Sequence, residues 1–428
     1  MKHRSWIVVL SLLFFAVAAV WPAAAASGDD FFFHDGDRVV MVGDSITEQH
    51  LYSNYVEMWT VSRFPKWNVT FRNVGIGGDR STGGNSRFKR DVLVHKPTAI
   101  TVDFGMNDGN YRAFDETGFM TYMGGLQGMA DQAKAASIRV AWLTPSPVEK
   151  AEDGPAIEGY NQTLEKYSEG VKKIAADNGG LFVDQFHPFV AAIDKARNAS
   201  HDNRIGKGDA VHPGPPGQAV MAWAILKGLN FPRLVSRVEI DAGQPKVVAS
   251  EKCRVSELAA ENGGLTFERA DEALPFFPIE AESINEWVPV REELNQYGLK
   301  VTGLKPGKYE LRLSGTKVAD YTADELAGGV NLSKAVLAAG PIAEQVNSVW
   351  TAVKAKNSYY HDRVFRGIVL AFVSIPDFLN VKLEPAEIEA RRQSAITERM
   401  TKLPELDEAI RQALAPRAHR VELVPKAG

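Results

Sequence analysis

The chain has 428 residues, with 49 Lys and Arg against 53 Asp and Glu, a net charge of −4 and a single cysteine. A mildly acidic balance without a basic stripe argues against a nucleic-acid partner, and one thiol excludes an internal disulfide or a cysteine-built zinc cluster. The length exceeds one ordinary core of roughly 100 to 200 residues, so two or more domains are expected.

At the start, Lys2, His3 and Arg4 precede an apolar run over residues 6–20, and Ala24-Ala25-Ala26 follows. This is the three-part pattern of a secretory leader. Cleavage is expected after Ala26, which would leave a secreted or periplasmic protein and, by removing Lys2 and Arg4, move the net charge from −4 to −6. The run is broken by Ser11 and Pro22 and falls short of the roughly 20 apolar residues that a membrane span needs; no later stretch reaches that length.

From residue 38 to about 233, strand-like and helix-like stretches alternate as in a parallel sheet covered by helices on both faces. Strands are predicted over residues 39–42, 69–74, 99–104, 139–144 and 181–183, and helices over 119–136, 157–178 and 218–229. A further helix starting near Glu48 would carry Tyr52, Tyr55, Val56 and Trp59 on one face. The first strand runs directly into Gly43-Asp44-Ser45, which places a serine at the carboxyl end of a central strand, the edge where open α/β sheets bind ligands. Ser45 or Thr47 as a plain helix N-cap is the competing reading.

The second strand is followed by Asn73-Val-Gly-Ile-Gly-Gly-Asp-Arg-Ser-Thr-Gly-Gly84. Arg80 stands where a dinucleotide fingerprint needs its third glycine, and no Gly-Lys-Ser/Thr closes a Walker loop, so a phosphate cradle is not expected. Glycines here still let backbone N–H groups approach a ligand closely, as an oxyanion site requires. After the third strand, Asn107 offers a side-chain amide at the same sheet edge, while Asp108 reads as structural because a carboxylate there would oppose an oxyanion. Asp209 and His212 lie three apart in Gly208-Asp-Ala-Val-His-Pro-Gly214, a spacing at which the carboxylate fixes the imidazole tautomer while the other ring nitrogen faces the serine. His34, His50, His95, His187, His201, His361 and His419 have no setting that reads the same way.

Gly43-Asp44-Ser45, Asn73 to Gly78, Gly105-Met-Asn107-Asp108 and Asp209-Ala-Val-His212, in this order, resemble the four blocks of the SGNH hydrolases, also called the GDSL esterase/lipase family. The resemblance covers residues 35–232, about half the chain. It implies a flavodoxin-like α/β fold with strand order 2-1-3-4-5. It further implies Ser45 as nucleophile, His212 as general base, Asp209 as its orienting partner, and an oxyanion hole of the Ser45 and Gly78 backbone N–H groups with the Asn107 side chain. Ile46 replaces the leucine of the family name, and the adjacency of Gly77 and Gly78 leaves the backbone donor open by one residue. Neither a cofactor nor a metal is implied. The reaction implied is ester hydrolysis through an acyl-enzyme on a small-molecule or polysaccharide acyl ester, with carbohydrate deacetylation or deacylation first. Lysophospholipase or thioesterase activity, or a non-catalytic binding module on the same fold, are the alternatives.

Beyond Pro232 the sequence turns β-rich, with candidates at 235–240, 245–255, 265–269 and 298–313, and a small antiparallel sheet or sandwich is expected. Residues 341–356 and 385–414 read as helices. The resulting division is a leader over 1–26, the hydrolase domain over 27–233, a β-rich region over 234–320 and a mainly helical region over 321–428. Cys253 reads as a small buried hydrophobe. The aromatic and cationic stretch with Trp350, Tyr359, Tyr360, His361 and Arg363 suits either ligand contact or helix packing, with packing favoured.

Overall fold

A computed structural model describes residues 30–149, 159–371 and 383–426; the leader and its cleavage point lie outside these. Strands β1 (Arg38–Gly43), β2 (Thr70–Asn73), β3 (Ala99–Asp103), β4 (Arg139–Leu143) and β5 (Leu181–Val183) form one sheet in the order β2-β1-β3-β4-β5, parallel throughout. This is the topology that the resemblance implied. The central strands β1 and β3 read as nearly unbroken apolar runs because both faces are covered. Val39 and Met41 pack into one core, and Val40 and Val42 into the other. Strand order reverses at β1, so the crevice of the switch point opens at its carboxyl end, beside Ser45.

The helix expected from Glu48 is divided in two. A single turn, α1 (Ser45–Glu48), is followed by a break in which His50 takes a left-handed φ of 59°, and only then by α2 (Tyr52–Arg63). Every residue of α2 is buried, Glu57 and Arg63 included, because the sheet lies on one side and the carboxyl-terminal half on the other. Around the sheet also lie α3 (Ser81–Asp91), α4 (Glu116–Ala135), α5 (Tyr160–Asn178), α6 (Phe186–Ala199) and α7 (Pro215–Gly228).

The second half adds β6 (Leu234–Asp241), β7 (Lys246–Glu251), β8 (Cys253–Glu261), β9 (Gly264–Asp271), β10 (Gln296–Thr302), β11 (Lys308–Leu313), β12 (Thr316–Thr322), β13 (Val330–Asn331) and β14 (Ala418–Pro425). They make a four-stranded sheet, β13-β10-β6-β7, and a five-stranded one, β12-β11-β14-β9-β8. Three expectations are corrected here. The single strand expected over 245–255 is two, because a left-handed Lys252 (φ 54°) carries the chain from one sheet to the other. The β6–β10 pair is parallel rather than antiparallel. The helix expected over 385–414 is two, Pro385–Met400 and Leu403–Ala413, the second opening with a proline in its first turn. In addition, β14, which falls in the stretch read as mainly helical, lies between β11 and β9.

The two halves are joined by buried polar contacts. Lys356, on the helix Pro341–Tyr359, is fully buried with its Nζ 2.5 Å from Glu57 Oε1 and 3.1 Å from the Phe71 carbonyl, and Asn357 donates to Asn54 and Glu57, each at 2.7 Å. Arg63 donates to the carbonyls of Pro232 and Leu294. Buried charges of this kind are tolerated when paired, as Lys356 and Glu57 are; the Nε of Arg63 is left without a partner among the described residues. Among the described residues no helix is long and apolar enough to cross a membrane.

Candidate active site

The hydroxyl of Ser45 is free of the capping duty that the competing reading gave it. The cap of α1 is Asp44, whose Oδ1 accepts from the Ile46 N–H at 2.9 Å, and Thr47 is taken by the Tyr52 hydroxyl at 2.7 Å. Ser45 Oγ instead lies 2.8 Å from His212 Nε2 across 167 residues of sequence. On the far side of the ring, His212 Nδ1 is 2.9 Å from Asp209 Oδ2, while Asp209 Oδ1 accepts the backbone N–H groups of Val211 at 2.8 Å and His212 at 2.7 Å. A carboxylate facing Nδ1 makes that nitrogen the donor, which leaves Nε2 as an acceptor for the serine proton. Burial raises the pKa of Asp209, but the His212 amide and ring and the Val211 amide outweigh it and hold the carboxyl below its ordinary range.

The loop bearing this pair is shaped by contacts that its sequence does not announce. Glu149, buried at the end of β4's loop, accepts the N–H groups of Ile205 and Gly206 at 3.0 and 2.7 Å, and its own N–H donates to the Ala210 carbonyl at 3.1 Å. Gly208 is required by close approach: a Cβ there would stand 1.8 Å from the His212 carbonyl oxygen. Spacing alone would not have singled the pair out. Asp184 and His187 repeat it, with Oδ2 and Nδ1 2.8 Å apart. The exposed His187 ring turns its Nε2 toward Glu165 at 3.8 Å. What separates the two pairs is the serine.

The glycine-rich loop is pinned to α1 by Asn73, whose Nδ2 donates to the Thr47 carbonyl at 2.6 Å and to Ser53 Oγ at 2.8 Å, while its Oδ1 accepts the Gly75 N–H at 2.9 Å. Gly75 itself touches α1, where a Cβ would stand 2.4 Å from the Glu48 nitrogen. Gly77 N–H is engaged by Glu48 Oε2 at 2.6 Å, whereas no acceptor among the described residues takes the Gly78 N–H, and Gly78 has a left-handed φ of 73°. Of the two glycines, the amide of Gly78 is the one left unengaged.

Asn107 reaches the same edge. Its Nδ2 lies 3.2 Å from Asp44 Oδ2 and 3.0 Å from the Asp79 carbonyl, and its Oδ1 accepts from the Tyr111 hydroxyl at 2.7 Å. Both amide protons are thus engaged, and donation to a ligand would exchange one of these bonds. Asp108 has the structural setting expected of it: Oδ1 accepts the Ser81 amide and hydroxyl at 3.0 and 2.8 Å and so caps α3 from another loop. Beneath the site three carboxyls are buried together. Desolvation, with the Asp103 charge added, pushes Asp44 well above the usual carboxylate range; desolvation also lifts Asp103 to about 7 and Asp108 to about 6. Carboxyls perturbed in this way are a recurring feature of functional clefts.

Cys253 is only partly buried, its Sγ 3.3 Å from the Arg237 carbonyl, and burial pushes its thiol up, away from nucleophilic character. The aromatic stretch divides. Trp350 packs in tilted contact with Tyr55 and Phe276, and Tyr360 is buried with its hydroxyl 2.7 Å from His95 Nε2, so both are packing residues. His361 and Arg366, by contrast, reach Glu48.

Residues 41–220 match the model of the GDSL-like Lipase/Acylhydrolase family. An acetylxylan esterase of Geobacillus stearothermophilus is 25% identical over 225 residues, spanning 47% of this chain and 98% of that protein. Its solved structure, Axe2, has 23% identity, a TM-score of 0.39 and coverage of 47% and 97%. A solved gut microbial diltiazem-metabolizing enzyme is 25% identical with a TM-score of 0.79 and covers 92% of this chain and 98% of its own, so its likeness extends through both halves. Through residues 41–220, somewhat under half of its length, the chain is similar to the GDSL-like Lipase/Acylhydrolase family, and its acetylxylan esterase relative is an ester-bond hydrolase.

Proposed function

We propose that the protein is a secreted serine esterase that removes acetyl or other short acyl groups from a carbohydrate. The observation that carries the serine reading is the continuous chain Ser45 Oγ, His212 Nε2, His212 Nδ1, Asp209 Oδ2, with links of 2.8 and 2.9 Å. His212 takes the proton of Ser45 as the hydroxyl attacks the ester carbonyl, and Asp209 holds the tautomer and stabilises the imidazolium that forms. The Ser45 and Gly78 backbone amides and the Asn107 side chain receive the charge that develops on the carbonyl oxygen, each donor worth roughly 2.7 to 4 kcal/mol. Collapse expels the alcohol and leaves an acyl-enzyme, which water, activated by the same imidazole, hydrolyses.

The carbohydrate is suggested by the acetylxylan esterase relative and secretion by the leader pattern before residue 27. The division into a hydrolase domain over 27–233 and an appended region is part of the same proposal. A second reading, a small-molecule acyl ester as substrate, is favoured by the diltiazem-metabolizing enzyme, which is similar over both halves. Hydrolysis of p-nitrophenyl acetate against longer-chain esters, then acetate release from acetylated xylan, separates these. Turnover of acetylated xylan above that of simple acetates supports the carbohydrate; a preference for bulky aromatic esters with none on xylan overturns it.

A further inference from the structure

Resting on the serine-esterase reading, we infer that Arg366 and Glu48 are positioning residues for the oxyanion cradle, so that the carboxyl-terminal half completes the active site. Glu48 ends the one-turn helix that begins at Ser45, and its carboxylate is shared between two distant partners. Oε2 accepts the Gly77 N–H at 2.6 Å, and Oε1 is held by Arg366, with Nε at 2.5 Å and Nη2 on the same oxygen. His361 Nε2 lies 3.5 Å from that oxygen. Arg366 and His361 stand 318 and 313 residues from Glu48 in sequence, on the π-helical segment Tyr360–Val369 that continues the helix Pro341–Tyr359. Widened helical turns of this kind recur at functional sites.

Two physical consequences follow. The Gly77 amide is tied to Glu48, which anchors the peptide unit immediately before the one that carries the Gly78 N–H. The same tie puts a carboxylate one residue from a cradle that must receive negative charge, an arrangement that opposes the reaction unless the charge is offset. Arg366 supplies the offset, and its fork also stops Glu48 from rotating off Gly77. Behind it, both nitrogens of the His50 ring are buried without a partner among the described residues, and desolvation, with the His361 and Lys356 charges added, drops its pKa to about 3, so it stands neutral against His361 with ring centres 4.8 Å apart. Arg366 is half exposed, so its role is not that of a core strut.

The test uses the full chain and p-nitrophenyl acetate. Arg366→Gln should lower kcat by about tenfold with KM changed less than about twofold and with Tm within roughly 2 °C of wild type, since an ion pair whose arginine is half exposed contributes little stability. Arg366→Lys should recover part of the loss. The double variant Glu48→Gln/Arg366→Gln should be faster than Arg366→Gln alone, because the amide oxygen still accepts the Gly77 N–H and no uncompensated charge faces the cradle. Wild-type kcat in Arg366→Gln overturns the proposal, as does a double variant no faster than the single one. Ser45→Ala run alongside separates the layers: if it is inactive, those failures belong to the positioning role alone, and if it turns over, the serine reading fails and this proposal with it.

Discussion

Two buried clusters, one in each half of the molecule, compensate charge to different degrees. In the second half Arg269 is almost fully buried, yet its Nε bonds Asp271 at 2.9 Å, its Nη2 Ser236 Oγ at 2.7 Å and its Nη1 the Gly298 carbonyl at 3.3 Å, and its guanidinium stacks 3.9 Å over the Tyr297 ring. In the first half the buried carboxyls beneath Ser45 are poorly compensated: Asp108 Oδ2 has no partner among the described residues, and Asp44, Asp103 and Asp108 are all raised by desolvation. A network satisfied at every atom specifies a fold. A cluster left short of partners is costly and is retained where chemistry needs it.

That contrast can be broken most severely at the site. His212→Ala should reduce ester turnover by on the order of 10⁶-fold, and Asp209→Asn by about 10⁴-fold or less, with Tm little changed because neither side chain is core; loss of cooperative unfolding in either would assign the pair a structural role. Asn107→Ala should cost roughly 10²- to 10³-fold in kcat with little change in KM. A pure KM effect would make Asn107 a substrate contact, and its engaged amide protons would then be the reason.

In the joint between the halves the expected effect is on stability instead. Lys356→Ala leaves Glu57 buried without its cation and should cost about 3 to 5 kcal/mol, read as a shift of the urea midpoint, while kcat of the folded fraction stays near wild type. Truncation after Pro232 should be worse, since it strips the outer face of α2, including Tyr55, whose hydroxyl bonds Glu280 at 3.0 Å. A soluble, cooperatively folding fragment of residues 27–232 would show that the halves are independent.

A pH slope is also expected. Asp103 titrates near 7 in the fold against about 3.8 unfolded, so the folded state keeps a proton that the unfolded chain has lost. Its contribution is fully present below about pH 4 and is lost as pH rises through 7. Asp103→Asn removes this loss, so the Tm of the variant relative to wild type should climb between pH 4 and 8. A difference independent of pH would place Asp103 ionised in the fold.

The first half was legible because its determinants are local. Four apolar residues before Gly43, Gly179 and Gly180 after α5, and an aspartate three before a histidine are readable one stretch at a time. Glu149 was missed because it acts across more than fifty residues, on Ile205 and Gly206. The second half is assembled from distant pairings: β14 enters between β9 and β11 from the end of the chain, and β6 pairs with β10 past three intervening strands. A left-handed Lys252 carries no composition signal, so the change of sheet there was invisible. His361 reads as packing, and Arg366 carries no signal of its own, for the same reason: their partner Glu48 lies at the other end of the sequence.

The central claim is that Ser45 carries the acyl group, and covalent trapping tests it most directly. The protein treated with a fluorophosphonate should gain one adduct by intact mass, map to the peptide containing Ser45, lose esterase activity in step with labelling, and fail to label at the same rate in His212→Ala. An adduct on any other residue, or full inactivation without modification of Ser45, would contradict it.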